Sequence, residues 1–169
     1  MIEPAIKYET QLKEKFVDIM FNPKYQFYFG QYSYFPALEK NNWNCHDFVS
    51  VNSKGDVIGY IGYTIIRAVY KICDLKIINF SDKDTIVFSR DLGNTLKDIF
   101  EKYAFNKLEF NVYVGNPIEK SYDKACLRYG GRIVGVSKNH IKLQDGKIYD
   151  NKMYEILKED YFKAINKSF

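Results

Sequence analysis

The sequence predicts a mixed α+β fold built around one mostly antiparallel sheet. Two observations predict it. The hydrophobic pattern changes from a helical period to a two-residue alternation near residue 46, and turn sequences then separate successive alternating runs. The length of 169 residues is typical of one domain, so we treat residues 1–169 as a single unit.

Composition excludes several classes of protein. The chain is 46% hydrophobic and 17% aromatic, which is too apolar for a disordered segment, and no apolar run approaches the ~20 residues of a membrane span. The net charge is +4, but its lysines are interleaved with acids, so a nucleic-acid partner is not expected. The three cysteines lie far apart without metal-ligand spacing. We expect a reduced, cytoplasmic protein with no metal and no membrane partner.

The first part of the chain predicts a short strand at Ala5–Tyr8 and an amphipathic helix over Thr10–Phe21, which Asn22-Pro23 stops. The segment 25–35 is unusually aromatic and contains a glycine. It is typical either of a second, irregular helix or of a loop over a pocket, and the sequence leaves both open.

The central part predicts a hairpin, a third strand and a long helix. Residues 46–52 and Val57–Arg67 alternate around a Ser-Lys-Gly-Asp turn, and Ile72–Phe80 follows as a strand. Thr85–Tyr103 has its apolar residues mostly at helical spacing, and Asp82 or Asp84 is a candidate cap.

The last third predicts a strand, a short helix behind Pro117, a closing hairpin and a tail helix. The predicted elements are a strand at Lys107–Val114, a helix at Ile118–Tyr129, hairpin strands at Arg132–Leu143 and Ile148–Leu157, and a helix at Glu159–Asn166.

This order of elements resembles the GNAT superfamily, the acyl-CoA-dependent N-acetyltransferases. The segments FNKLEFNVYVGNPIEKSYDKACLRYGGRIVG and LQDGKIYDNKMYEILKEDY carry the resemblance over residues 105–161, and it is weaker over 46–104. It implies a GNAT-like single domain with helices on both faces of the sheet. It also implies direct transfer of an acetyl group from acetyl-CoA to an amine of a small molecule or a protein, by general acid/base catalysis, and a homodimer.

The resemblance implies a pyrophosphate site in the segment Arg90–Thr95. In the family this motif precedes a helix, and its backbone N–H groups hold the CoA pyrophosphate. Asp91 puts a negative charge there, and the final small residue of the motif is missing. If the helix already begins near Asp84, these N–H groups are occupied, and the anion site shifts to Ser81–Thr85 or is absent. The implied CoA-binding residues are Arg90, Gly93, Asn94 and Thr95.

The resemblance also implies roles for Asn116 and Tyr122. Asn116 would bind the pantetheine arm while capping the next helix, and Tyr122 would donate a proton to the departing thiolate. Asn116 is also an ordinary helix cap. Counted back from Gly130-Gly131, the tyrosine position falls on Cys126, so the two alignments remain open.

Amine acetylation further requires a group that removes the ammonium proton, and a carboxylate can do so. Asp74 and Glu109 are the candidates, since each is an acid in an otherwise apolar strand. Either residue is also explained as a strand-edge carboxylate in water or paired with a lysine.

Two other hypotheses remain. The chain could be a GNAT-fold domain without catalysis that serves a structural or assembly role, which the imperfect Arg90–Thr95 motif favours. It could also be a nucleic-acid-binding module that stacks bases on the aromatic segment 25–35, and salt-sensitive oligonucleotide binding would distinguish it.

Overall fold

A computed structural model of the chain describes residues 1–29, 38 and 43–166. Their strands are β1 (Ile2–Pro4), β2 (Cys45–Val51), β3 (Val57–Ile66), β4 (Lys71–Asn79), β5 (Lys107–Tyr113), β6 (Arg132–Lys142) and β7 (Ile148–Leu157). Their helices are α1 (Glu9–Met20), α2 (Gln26–Phe29), α3 (Thr85–Glu101), α4 (Glu119–Arg128) and α5 (Lys158–Asn166), and three short 3₁₀ turns join them.

The strands form one sheet in the order β1-β2-β3-β4-β5-β7-β6. Neighbouring strands among the described residues are antiparallel except β4 and β5, which run parallel. Parallel neighbours need a long crossover, and α3 supplies it. The predicted α+β class with a mostly antiparallel sheet is therefore confirmed.

Helices cover both faces of this sheet. Adjacent residues of a strand point to opposite faces of the sheet. On β2, the neighbours of Val49 and Ser50 therefore show which helix packs on each face. Val49 packs in a buried cluster with Leu12 and Phe16 of α1. The hydroxyl of Ser50 donates a hydrogen bond to the carboxylate of Asp91 in α3, at 2.6 Å. The predicted two-sided arrangement is confirmed.

The N-terminal segment differs from its prediction. Ala5–Tyr8 forms a 3₁₀ turn, and the strand lies earlier, at β1, where Ile2, Glu3 and Pro4 pair with residues 48–50 of β2. Four residues are too few to show the alternation of a strand in the sequence. Pairing with the distant strand β2 decides which residues form β1. The aromatic segment begins as a 3₁₀ turn followed by α2, and residues 30–35 of it lie outside the described residues.

The remaining elements agree with their predictions to within a few residues, and β7 has the predicted bounds. Before α4, the side chain of Asn116 accepts a hydrogen bond from the N–H of Ile118, at 3.1 Å, and its carbonyl accepts one from the N–H of Glu119, at 2.9 Å, so Asn116 holds the turn that leads into the helix. Across the described ranges, no helix is long and apolar enough to span a membrane.

Candidate functional site

The strands β4 and β5 separate along their length and leave a cavity between them. They pair only at Lys71 with Lys107 and at Ile72 with Leu108. Just beyond, Asp74 and Leu75 have no partners in the register of β3 with β4, and Asp74 has a φ of 51°, so a β-bulge bends β4 away. The cavity measures about 420 Å³.

Among the residues that the structure describes, four groups line this cavity. They are residues 74–78 of β4, residues 111–113 of β5, Asn116 with Tyr122 at α4, and a group of aromatic rings that consists of Phe16, Phe27, Tyr28 and Tyr60. The walls are thus largely apolar, with a few polar groups among them. This combination is typical of a small-molecule site.

The backbone of β4 also faces the cavity. The N–H of Phe80 bonds the carbonyl of Ile58 on β3, and Ile78 pairs with Tyr60 in the same register. Because alternate residues of an antiparallel strand direct their N–H groups to opposite sides, the N–H of Ile77 points away from β3, towards the gap. An N–H in this position is suited to a carbonyl oxygen that gains negative charge.

Tyr122 lies in the cavity wall, on the inner face of α4. Its ring packs edge-on against Phe110, with 6.1 Å between the ring centroids. Burial raises the pKa of Tyr122 well above its usual range, and the nearby Tyr28 adds to the effect. The hydroxyl therefore remains protonated at neutral pH and is available as a proton donor.

The other candidate for the tyrosine position, Cys126, lies in the core instead. It is buried among residues of β7 and α5, and its Sγ lies under Gly131. Burial raises the pKa of this thiol to about 11, so it stays protonated and unreactive. Of the two alignments, the structure places the Tyr122 side chain in the cavity.

An ion-pair network fixes α4 to β7 on either side of Tyr122. Lys152 pairs with Glu119 and, at 3.2 Å, with Asp123, and the hydroxyl of Tyr154 donates to Asp123 at 2.7 Å. The hydrogen bond from Tyr154 is the main cause that lowers the pKa of Asp123. Sequence reasoning missed this network, because its members come from two elements about thirty residues apart and show no common motif.

Asp74 and Glu109, the two candidate bases, have different surroundings. Asp74 lines the cavity at the bulge, and its carboxylate accepts a weak hydrogen bond from the Cys73 thiol, at 3.8 Å. Its left-handed backbone turns the side chain out of the regular alternation of β4. Asp74 is thus an exposed carboxylate that borders the cavity.

Glu109 is held in a row of ion pairs and is not among the cavity residues. Lys71 and Lys107 contact its two carboxylate oxygens at 2.7 and 2.8 Å, and Lys107 continues to Glu155. Burial opposes ionisation of Glu109, but the hydrogen bonds from the two lysines outweigh it and lower the pKa. A carboxylate held in this way is a poor proton acceptor, which argues against the prediction of Glu109 as the base.

The structure also argues against the predicted pyrophosphate site. Arg90, Gly93, Asn94 and Thr95 lie inside α3, which begins at Thr85, so their N–H groups bond within the helix. Asp91 is buried against Ser50, and the hydroxyl of Thr95 bonds the carbonyl of Asp91. In the family the motif precedes a helix, and here it lies within one, so the alternative at Ser81–Thr85, at the start of α3, remains.

Replacing Gly93 with alanine tests this correction. Apart from the adjoining residues and the backbone of its own helix, no described atom lies within 4 Å of the position that a Cβ would take. In a helix interior alanine is favoured over glycine, so the free energy of unfolding should rise by about 1 kcal/mol, measured by urea denaturation. Thioester binding, measured by calorimetry, should not change.

Gly59→Ala is the matched control, because a Cβ there overlaps the ring of Phe88 and should destabilise the protein. Loss of thioester binding in Gly93→Ala at unchanged stability would support the pyrophosphate site implied at Arg90–Thr95.

Sequence reasoning also missed Asn111 and the contacts that hold α2. Asn111 lines the cavity, and its amide donates to the buried Asn151 at 2.8 Å. The turn between β6 and β7 reaches α2, where the N–H of Asp145 bonds Gln26 at 3.2 Å. The available signal for Asn111 was its place on the polar face of β5, beside Glu109. The contact with α2 spans more than a hundred residues and left no signal in the sequence.

Within the described part of the chain, no group of three or more His, Cys, Asp or Glu side chains is placed to hold a metal ion. Its three cysteines are all free thiols.

Comparison with solved structures identifies the fold. A spermidine N-acetyltransferase SpeG mutant from Vibrio cholerae superposes with a TM-score of 0.60 and 22% identity, covering 76% of this chain and 73% of that one. A probable GNAT-family acetyltransferase from Chromobacterium violaceum has a TM-score of 0.69 and 15% identity, covering 95% and 88%. A GCN5-related N-acetyltransferase from Brucella melitensis has a TM-score of 0.68 and 15% identity, covering 98% and 78%.

No family model matches the sequence, and no curated protein matches it. The likeness is therefore one of three-dimensional structure. This chain has the fold of the GNAT acetyltransferases, as its sequence predicted.

Proposed function

We propose that this protein is an N-acyltransferase that transfers an acetyl group from acetyl-CoA directly to an amine. The observation that carries the proposal is the cavity between the separated strands β4 and β5, which holds a carboxylate, a protonated phenol and an amide on its walls. The fold it shares with acetyltransferases supports the same reaction.

The cavity residues fit the thioester end of the donor. Asn116 is almost buried, and its side-chain oxygen is already used by the N–H of Ile118, so its amide N–H₂ is the group available to a pantetheine carbonyl. The Ile77 N–H would stabilise the oxygen of the thioester carbonyl during attack.

The remaining steps are proton transfers. Asp74, directly or through a water, would take the proton from the ammonium form of the acceptor and leave a neutral amine. The amine would attack the thioester carbon, and the carbon–sulfur bond would break. Tyr122, which its raised pKa keeps protonated, would then give its proton to the departing thiolate and be reprotonated by the proton that the new amide nitrogen releases.

The acceptor is an amine of a small molecule or of a peptide. We assign its side of the cavity to the rings of Phe27 and Tyr28 of α2, which line the cavity. Aromatic faces attract ammonium groups, which supports a cationic acceptor.

A second candidate is a GNAT-fold domain without catalysis, in a structural or assembly role. The observation that favours it is that Arg90–Thr95, the segment that resembles the pyrophosphate motif, lies inside α3 and not before it.

The test is a calorimetric titration of acetyl-CoA into the protein, followed by an assay of CoA release over a panel of primary amines. Micromolar binding at one site per chain, with release that depends on an amine, supports the acyltransferase. No binding at millimolar acetyl-CoA overturns it and leaves the non-catalytic role.

A further inference from the structure

We propose that the protein has a second binding site, apart from the acyltransferase cavity, for a small aromatic anion. The chemical class is a planar ring that carries a carboxylate or a phosphate group. The inference goes beyond the proposed function and does not depend on it, because the two cavities share no lining residue among those that the structure describes.

The site is a cavity of about 300 Å³ at the end of the sheet where β4 and β5 are still paired. They pair at Ile72 with Leu108, whereas the acyltransferase cavity begins at Asp74, beyond the bulge. The turn between β3 and β4 forms one wall, and the segment between α3 and β5 forms another. The described lining residues are His46, Ile65, Arg67, Tyr70, Tyr103 and Phe105.

Flat rings form most of this lining. The ring centroid of Tyr103 lies 6.1 Å from that of His46, edge to face, and 6.4 Å from that of Phe105. The side chains of Tyr70 and Tyr103 nevertheless remain 61% and 39% exposed. Rings that line a cavity and keep exposed faces are suited to packing against the planar ring of a ligand.

Arg67 supplies the permanent charge of the described lining. Its guanidinium lies 5.1 Å from the ring centroid of Trp43 and donates to the carbonyl of Trp43, and no carboxylate in the described ranges pairs with it. Burial and the charge of Arg67 lower the pKa of His46, so that ring is neutral at pH 7. A guanidinium with unused N–H groups matches the oxygens of a carboxylate or a phosphate.

The acids that act on this region lie outside the described lining. Asp47 of β2 already accepts a tyrosine hydroxyl, and Asp98 of α3 acts on the buried Tyr63. Lys102, one turn after Asp98, holds its ammonium 5.1 Å from the ring centroid of Tyr103 and adds positive charge beside the site. The charge around the cavity therefore favours an anion.

The backbone holds two parts of the lining in conformations that cost energy. Tyr70 has a φ of 50°, and Ala104, between Tyr103 and Phe105, has a φ of 56°. Both values lie in the left-handed region, which residues other than glycine rarely adopt. The N–H of Asn106 donates to the carbonyl of Tyr70 at 2.8 Å and so ties the two walls together. Residues held in this way are concentrated at functional sites, which supports a binding role for this cavity.

The chain contains its own reporters for the two cavities. Trp43 is the single tryptophan, and its ring stacks on Arg67, so its fluorescence reports on the second site. The chain has two histidines. The imidazole resonances of His46 report on the second site. Those of His140 report on the acyltransferase cavity, because its ring centroid lies 6.3 Å from that of Tyr113, which lines that cavity.

The experiment titrates benzoate and phenyl phosphate into the protein. Their cyclohexyl counterparts are the anions without an aromatic ring, and benzamide is the ring without a charge. We expect at least one aromatic anion to shift the His46 resonances and change the Trp43 fluorescence, with a Kd at least about tenfold below those of its cyclohexyl counterpart and of benzamide. The ratio of the two aromatic Kd values tells whether the site prefers a carboxylate or a phosphate. Equal Kd values with and without the aromatic ring, shifts confined to His140, or no saturation at millimolar concentration overturn the inference.

Arg67→Gln removes the charge and should weaken binding of the aromatic anion by at least about tenfold. The Kd of acetyl-CoA should not change, because Arg67 does not line the acyltransferase cavity. Arg128→Gln is the matched control, since the guanidinium of Arg128 is also exposed and lies 5.9 Å from the ring centroid of Tyr129. An unchanged affinity in Arg67→Gln contradicts the inference.

Tyr103→Leu tests the aromatic wall separately. It keeps the charge of Arg67 and removes one ring of the lining. It should weaken binding of the aromatic anion and leave that of the cyclohexyl counterpart within about twofold. Equal losses for both would show that the ring of Tyr103 does not recognise the ring of the ligand, and would overturn the assignment to an aromatic anion.

Discussion

Replacing Tyr122 with phenylalanine is expected to lower kcat by about a hundredfold, the usual contribution of a positioned general acid. The substitution removes the hydroxyl and keeps the ring, so the edge-on contact with Phe110 should survive. The Kd of the thioester, measured by calorimetry, should stay within about twofold, because the proton is needed only when the thiolate departs.

Tyr129→Phe is the matched control for this variant. Tyr129 follows the same helix, but its ring stacks on Tyr161 in the core and does not line the cavity. It should keep the parental kcat. Full activity in Tyr122→Phe would show that Tyr122 is not the general acid. If Tyr122 is the general acid, acyl donors whose thiol leaving group has a lower pKa should reduce the loss of kcat in this variant.

Replacing Asp74 with asparagine is expected to lower kcat/KM at neutral pH by at least about tenfold, because no carboxylate then removes the ammonium proton. Asparagine tolerates the left-handed backbone at this position, so the bulge should be kept. The deficit should shrink as the pH approaches ~10, where the amine loses its proton without help. The measurement is the pH profile of kcat/KM for both proteins.

Glu109→Gln is the control for this experiment. It removes a carboxylate of the neighbouring strand that is held by Lys71 and Lys107, so the pH profile should match that of the parent. A pH-independent deficit in Asp74→Asn would indicate a structural role for Asp74. A profile changed by Glu109→Gln alone would transfer the role of base to Glu109.

The segment from β5 to β7 shows what could be predicted. Its strand alternation, the helix start at Gly115-Asn116-Pro117 and the hairpin turn are all encoded by residues close together in the chain. The resemblance that this segment carries singled out Asn116, before the short helix, and Tyr122, on it, and both line the cavity.

The two candidate bases show what could not be predicted. Asp74 and Glu109 look alike in sequence, as single acids in apolar strands. Their difference comes from a bulge in β4 and from two lysines, one of which lies on the neighbouring parallel strand. Both causes depend on strand pairing, which no local pattern encodes.

The sequence by itself determined the α+β class, most element bounds and the resemblance to the GNAT fold, because hydrophobic period, turns and caps are local properties. Only the tertiary structure decided how far β4 and β5 separate and which carboxylate borders the cavity. The helical turn at residues 90–95 is fixed by contacts of Asp91 with Ser50 and of Phe88 with Gly59, across more than twenty residues of chain. Packing energies of this kind override a local motif, since they are gained only once distant segments meet.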